Sequence, residues 1–217
     1  MDLALPEKID RGQWLELMGR GKAVDPDENI TACMDECEKI LLEVAAPKGI
    51  YVFSDDMDYE GKAIARHLEG CDSTVVMGIT LGRAVDEKLT RLSVSNMAMG
   101  VIYDAGAGVL AEAVCGAFEE QIREKVESAG RFMTSRFSPG YGDLPLSTQR
   151  RVIGMLDAER KIGLTLNDSD LMIPLKSITA ICGLADTPVT GCLATCDECV
   201  LRDGCEKRKA GKTCADR

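Results

Sequence analysis

Two stretches of this chain carry residue types whose spacing could do chemistry. The first is Cys192-x3-Cys196-x2-Cys199-x5-Cys205, with Cys214 beyond it. Four thiolates that close together can converge on one metal, and both a tetrahedral zinc and an iron-sulfur cubane accept four sulfurs. The spacing alone leaves the two open. A tail this polar also lacks the apolar content to fold without a metal or a cross-link. The Cys-x3-Cys-x2-Cys portion coincides with the radical S-adenosylmethionine spacing, but the chain is too short to append the barrel those enzymes carry after it.

The second stretch runs from Thr134 to Gln149. It holds two of the seven prolines, Pro139 and Pro145, and sets Arg136 before a Pro139-Gly140-Tyr141-Gly142 turn. Proline fixes φ and glycine admits positive φ, so such a segment holds one unusual backbone shape. A loop fixed in this way can present an Arg and a Tyr to a ligand with little entropy left to lose. The alternative is an ordinary surface turn.

Composition narrows what these stretches can serve. The chain has 217 residues, 29% charged and 45% apolar, which suits one globular domain with a real core and a small appendage. The boundaries expected are 1–186 for an α+β domain and 187–217 for a Cys-rich metal-binding tail, with Thr187-Pro188 as the hinge. A net charge of -10 opposes binding to a phosphate backbone, so no nucleic-acid partner is expected. No membrane-spanning apolar run and no leader-like start are read, and ten cysteines without such a leader imply reduced thiols, so the expected location is cytoplasmic. His67 is the only histidine; in the helical pattern around it, it reads as a solvated helix residue, which leaves little room for His-based catalysis.

The elements that must position these residues follow from periodicity. Residues 1–20 read as an amphipathic helix entered at Pro6, and a second opens at Asp25-Pro26-Asp27 and stops before Pro47. Cys33 and Cys37 lie four apart on that second stripe, as two small core-facing residues or a metal pair. Ile50–Phe53 and Ser73–Thr80 read as strands, the first followed by an acidic turn, Asp55-Asp56-Met57-Asp58. Arg83–Leu92 reads as a helix, and 94–127 as one long helix or a broken pair. Its many small residues would let a neighbour approach closely. Gly106-Ala107-Gly108 lacks the third glycine and preceding strand of a dinucleotide loop, so no Rossmann site is read. A helix from about Ser147 to Leu156, a strand at Ile162–Leu166, an extended piece at Leu171–Leu175 and a strand at Ser177–Leu184 complete an α+β order.

Taken together, several of these segments resemble one family. Ala111-Glu112-Ala113, Arg136-x3-Gly140-Tyr141, Gly163-Leu164-Thr165-Leu166-Asn167-Asp168-Ser169-Asp170-Leu171-Met172-Ile173-Pro174 and Ser177-Ile178-Thr179 occur in the order found in the reactivation domain of cobalamin-dependent methionine synthase. The helix from Ile9 to Gly19 and the run Val75–Gly82 extend the resemblance over most of residues 5–185. It implies a C-shaped fold with a bent, mostly antiparallel sheet and flanking helices. It also implies reductive remethylation of a stalled cobalt by S-adenosylmethionine, here in trans on a partner such as methionine synthase or a related corrinoid methyltransferase. The site it implies is Arg136 on the donor's carboxylate, Tyr141 beside the ligand, the backbone of Phe137 and Gly140 along the groove, and Glu112 facing the positive amino or sulfonium group. No acid or base is needed, so no catalytic side chain is expected. Because reactivation consumes an electron from a low-potential donor, the resemblance tips the reading of Cys192, Cys196, Cys199 and Cys205 toward a 4Fe-4S cluster over zinc. The alternative is a non-catalytic corrinoid-protein-binding or electron-transfer module; a structural zinc protein unrelated to cobalamin is a third reading.

Overall fold

The computed structural model describes residues 1–19, 27–189, 191, 204, 205 and 209. The protein is α+β, with a mostly antiparallel sheet flanked by helices. Its elements are α1 (Arg11–Leu17), α2 (Glu28–Val44), β1 (Lys48–Ser54), α3 (Lys62–His67), β2 (Ser73–Thr80), α4 (Arg83–Ser95), α5 (Met97–Ser128), β3 (Phe132–Met133), α6 (Thr148–Leu156), α7 (Ala158–Ile162), β4 (Thr165–Leu166), β5 (Met172–Ile173) and β6 (Ser177–Ala185). Four strands form one sheet in the order β1-β2-β6-β3, and β4-β5 form a separate antiparallel pair. The chain divides into two compact units: Met1–Ile50, Gly78–Gln121 and Asp157–Ile178 in the first, and Tyr51–Met77, Ile122–Leu156 and Thr179–Arg217 in the second.

In the first unit the core is built around Trp14, which is fully buried and donates its indole N–H to the Ile102 carbonyl at 2.8 Å. Gly106 makes this possible. A Cβ there would lie 2.2 Å from Trp14 Cζ2, so the helix presents bare backbone to the ring. Gly100 does the same for Ser93, whose Cα would be 3.0 Å from an added Cβ. The small residues of α5 thus admit an aromatic ring at one point and the backbone of α4 at another. Met34, Cys37, Leu41, Tyr103, Leu110 and Phe118 fill the rest of this core. Burial pushes the Cys37 thiol up to about 12, with Cys33 and Glu36 adding to the shift. Cys37 is therefore a packed apolar residue, while Cys33 is half-buried.

Several sequence expectations change here. The N-terminal helix is confined to Arg11–Leu17, because Asp10 caps it by accepting from the Gln13 N–H, and the residues before it are not helical. Asp2 bridges Lys48, the Leu3 N–H bonds to the Pro47 carbonyl at 2.9 Å, and the Met1 ammonium bonds to the Gly49 carbonyl at 2.8 Å. The 94–127 segment is the long helix rather than the broken pair: α5 runs unbroken over Met97–Ser128, and only Val94 and Ser95 belong to α4, because Asn96 leaves helical geometry and its side chain accepts from the Met99 N–H to start α5. The expected strand at Ile162–Leu166 is split, since Gly163 in the left-handed region ends α7 and leaves only Thr165–Leu166 extended. By length and composition α5 is apolar enough to cross a membrane, contrary to the sequence reading, but 56% of its most apolar stretch is buried within the protein, as in a core helix.

In the second unit β6 pairs antiparallel with β3, Phe132 opposite Ala185 and Met133 opposite Leu184. The ladder resumes at an isolated bridge, Phe137 opposite Ile181. Arg131 ties the start of β3 to its neighbours, bonding Asp72, Ser73 Oγ at 3.1 Å and Asp186 at 2.9 Å. His67 is not solvated as expected; it is fully buried.

Candidate functional site

The loop from Thr134 to Gln149 is held by bonds at each step. The Thr134 N–H donates to the Gly183 carbonyl at 2.9 Å, and the Gly183 N–H returns to Thr134 Oγ1 at 2.8 Å. Phe137 and Ile181 exchange N–H···O bonds of 2.9 and 2.8 Å. The turn then closes on itself: Gly140 N–H to Leu144 O at 2.9 Å, Tyr141 N–H to Ser138 O at 3.1 Å, and Leu144 N–H to Tyr141 O at 3.0 Å. Gly140 and Gly142 take φ of 91° and 55°, which side-chain-bearing residues rarely adopt, and so both positions flanking Tyr141 require glycine. Pro139 and Leu144 are buried beneath the turn. This stretch is a rigid platform rather than a slack connection.

Within it, Arg136 is half-buried and Tyr141 is exposed, its ring meeting the buried Phe137 ring edge-on at 6.3 Å between centroids. Phe137 packs against the His67 ring at 5.0 Å. The Phe137 amide and carbonyl and the Gly140 amide are already used inside the chain, so whatever Phe137 and Gly140 offer a ligand comes from their surface and the Gly140 carbonyl. Arg136, Phe137, Gly140 and Tyr141 all belong to the second unit. Glu112 lies on α5 in the first unit and is half-buried.

Two side chains that positional reasoning missed, Asp143 in this loop and Arg151 just beyond it, tie this region to distant parts of the chain. Asp143 accepts from the Lys62 N–H at 2.7 Å and the Ala63 N–H at 2.9 Å, capping α3 from a distant part of the chain. Gly61 precedes that helix with φ 127° and makes no side-chain cap, and a Cβ there would meet Asp143 Oδ1 at 2.7 Å. Bonds from Ala63 and Lys62 hold the Asp143 carboxyl below the usual range. Arg151 of α6 pairs with Asp56, bonds the Asp58 carbonyl, and lies 4.7 Å from the Tyr59 ring centroid. The Arg151 hydrogen bond holds the Asp56 carboxyl below its ordinary value. The acidic turn at Asp55–Asp58 is therefore tied down by an arginine. Neither partner leaves a trace in sequence beyond an Asp and an Arg of ordinary type.

The first unit carries a groove of about 550 Å³. Leu17, Met18, Leu89, Met97 and Val101 form its apolar walls, small residues of α5 its floor, and the Lys176–Asp104 ion pair at 2.8 Å contributes charge. None of the residues expected to bind a ligand lines it.

Of the expected metal ligands, Cys192, Cys196 and Cys199 lie outside the described residues, as does Cys214. Cys205 is half-buried, and its carbonyl accepts from the Lys209 N–H at 3.1 Å. Among the described residues, no three metal-ligating side chains come together.

No protein-family model matches the chain. None of the curated proteins matches it. Among solved structures it is similar to the crystal structure of the MetH reactivation domain bound to AdoHcy, with a TM-score of 0.64 and 15% sequence identity over 94% of this chain and 82% of that one. The likeness runs through both compact units, and the chain therefore has the fold of that reactivation domain.

Proposed function

We propose that this protein binds S-adenosylmethionine and uses it to remethylate the corrinoid of a partner protein, such as methionine synthase or a related corrinoid methyltransferase. The observation that carries the reading is a near-complete fold match to a domain solved with the demethylated form of that ligand, combined with a rigid Arg136-x3-Gly140-Tyr141 loop. Arg136 would hold the donor's carboxylate, where a planar guanidinium makes paired charge-assisted bonds. The exposed Tyr141 ring would cover the nucleoside, and the surface of Phe137 and Gly140 would line its groove. Glu112 would complement the amino or sulfonium charge.

The chemistry balances with one added electron. A low-potential donor reduces partner Co(II) to Co(I). Co(I) then attacks the S-methyl carbon with its electron pair; the C–S bond breaks, its pair stays on sulfur, and S-adenosylhomocysteine leaves as a neutral thioether while methyl-Co(III) forms. No proton moves, so this chain's residues have only to position the methyl group and exclude side reactions. We further propose that Cys192, Cys196, Cys199 and Cys205 bind a metal centre, a 4Fe-4S cluster in preference to zinc, because a cluster could supply that electron. Iron, sulfide and zinc analysis after anaerobic purification tests this; stoichiometric zinc without iron would overturn the cluster.

A second reading has one specific observation in its favour. The Phe137 and Gly140 amides are spent within the chain, which leaves fewer donors for a ligand and suits a corrinoid-protein-binding or electron-transfer module without a methyl donor. Calorimetry with S-adenosylmethionine separates the two. Submillimolar binding abolished in Arg136→Ala is expected; no binding by the folded protein would leave only the module. Anaerobic mixing with a Co(II) corrinoid protein, a reductant and S-adenosylmethionine should then produce the methyl-Co(III) spectrum.

A further inference from the structure

The loop strand and β6 do not keep one register. Phe132 and Met133 face Ala185 and Leu184, yet the next pair is Phe137 with Ile181. From Met133 to Phe137 the loop advances four residues, while β6, read back from Leu184 to Ile181, passes three. One extra residue is therefore inserted between Met133 and Phe137, which makes Thr134–Arg136 a β-bulge. A bulge bends its strand, re-aims the side chains within it and takes backbone groups off the ladder.

Side chains meet those backbone groups instead. Arg123 donates to the Met133 carbonyl at 2.6 Å and to the Thr134 carbonyl at 3.2 Å. The Gly183 N–H goes to Thr134 Oγ1 at 2.8 Å, and that hydroxyl donates to the Ser135 carbonyl at 3.0 Å. The same carbonyl lies 2.9 Å from His67 Nε2, and because a carbonyl only accepts, the ring proton is assigned to Nε2. His67 reaches this point because β6 carries Gly183 opposite the bulge. A Cβ there would lie 2.9 Å from Leu68 Cδ2 and 2.4 Å from Cys71 Sγ, so the turn after α3 lies directly on the strand.

His67 thereby clamps the bulge on both sides of Arg136. Its Nε2 holds the Ser135 carbonyl before the arginine, and its ring packs on the buried Phe137 ring after it, 5.0 Å between centroids. Phe137 in turn meets the Tyr141 ring at 6.3 Å. The imidazole is fully buried, and Gly191 closes over it, since a Cβ there would come 2.5 Å from Cε1. A close-packed ring in such a seat has no room to shift.

We propose that His67 is the positioning residue of the ligand loop: it holds the bulge in the shape that directs Arg136, and through Phe137 the ring of Tyr141, toward S-adenosylmethionine. This rests on the reading of Arg136 as a ligand contact. Being fully buried, His67 touches no ligand itself, and its effect is carried by the geometry of the loop.

The test compares His67→Leu, which fills the site without a donor, with His67→Gln, whose amide N–H replaces that of Nε2. S-adenosylmethionine affinity is read by calorimetry and global stability by urea unfolding. With each variant folded, His67→Leu should weaken binding about 10- to 100-fold, the worth of a charge-assisted hydrogen bond, and His67→Gln should restore it. A merely structural histidine would lower stability and leave the affinity of the folded protein unchanged. That result overturns the proposal, as does a Gln variant that binds no better than Leu. Two ligand-free measurements separate the proposal from the ligand reading. Amide exchange at Thr134 and Phe137 should accelerate in His67→Leu relative to the amides of β2, and equal protection overturns the clamp. In the wild type, nitrogen NMR of the single histidine should find the ring proton on Nε2; a ring protonated on Nδ1 alone overturns the clamp even if His67→Leu does not fold. Should the wild type bind no S-adenosylmethionine, that reading falls by itself, and the two ligand-free results decide whether His67 holds the bulge.

Discussion

Substituting alanine for glycine at two places on α5 should have opposite effects. At Gly106 the added methyl would sit 2.2 Å from Trp14 Cζ2 and 2.5 Å from Cε2, with the ring fully buried and its N–H bonded to Ile102. Overpacking of this kind costs about 1–3 kcal/mol. Pushing the ring off the Ile102 carbonyl adds about 1–3 kcal/mol for a buried bond left unmade. Alanine's better helix propensity offsets about 1 kcal/mol, so the net loss is about 3 kcal/mol within a range of roughly 1–5. At Gly116 nothing lies within 4 Å of the added methyl, and the same propensity term acts alone. That variant should gain about 0.5–1 kcal/mol. Equilibrium urea unfolding followed by fluorescence measures both, because Trp14 is the only tryptophan and reports directly on the contact. Gly106→Ala as stable as wild type, or Gly116→Ala destabilised, would refute the reasoning that Gly106 is required by the approach of Trp14 while Gly116 answers to no neighbour.

Further outcomes follow from the second unit and the buried thiol. Thr134→Val removes the acceptor of the buried Gly183 N–H and should cost about 1–3 kcal/mol in urea unfolding, whereas Ser135→Ala should be close to neutral, since Ser135 Oγ is buried with no hydrogen-bond partner among the described residues. Asp143→Asn should loosen the start of α3 at neutral pH, read as faster amide exchange at Lys62 and Ala63. The wild-type carboxyl has its pKa lowered by those amides from 3.8, so its contribution is present above that value and is lost as pH falls through the folded-state pKa. Exchange in the two proteins should therefore converge in acid, and a difference that persists there would argue against a charge-assisted cap. Cys37, with its thiol pushed up to about 12, should resist iodoacetamide at pH 8 in the folded protein and label only on unfolding, as measured by mass spectrometry. Rapid labelling in the native state would contradict its burial.

Much of the fold was legible because it is written locally. The apolar stripes of α2 and α4 follow from the 3.6 period, and the strands at Ser73–Thr80 and Ser177–Ala185 from short, nearly continuous runs that are buried along almost their whole length. The breaks were less legible, since Gly163 and Asn96 end or begin elements through caps that an apolar pattern does not register. The ordered motifs around Arg136 and Gly163–Pro174 carried a resemblance that the solved reactivation domain supports as a fold at 15% identity. Nothing local could say that His67, in a short polar-flanked helix, would be sealed beneath Thr134, Phe137 and Gly191. Nor could it say that Asp143 would cap a helix that starts at Lys62, or that Trp14 would choose Gly106. Those choices pair side chains with backbone groups far away along the chain, and a hydrogen bond or a ring-to-backbone contact imposes no periodicity on either partner. The residue types that could do chemistry at the loop and the tail were set by the sequence. Which of them are spent on holding the protein together was decided by the tertiary structure.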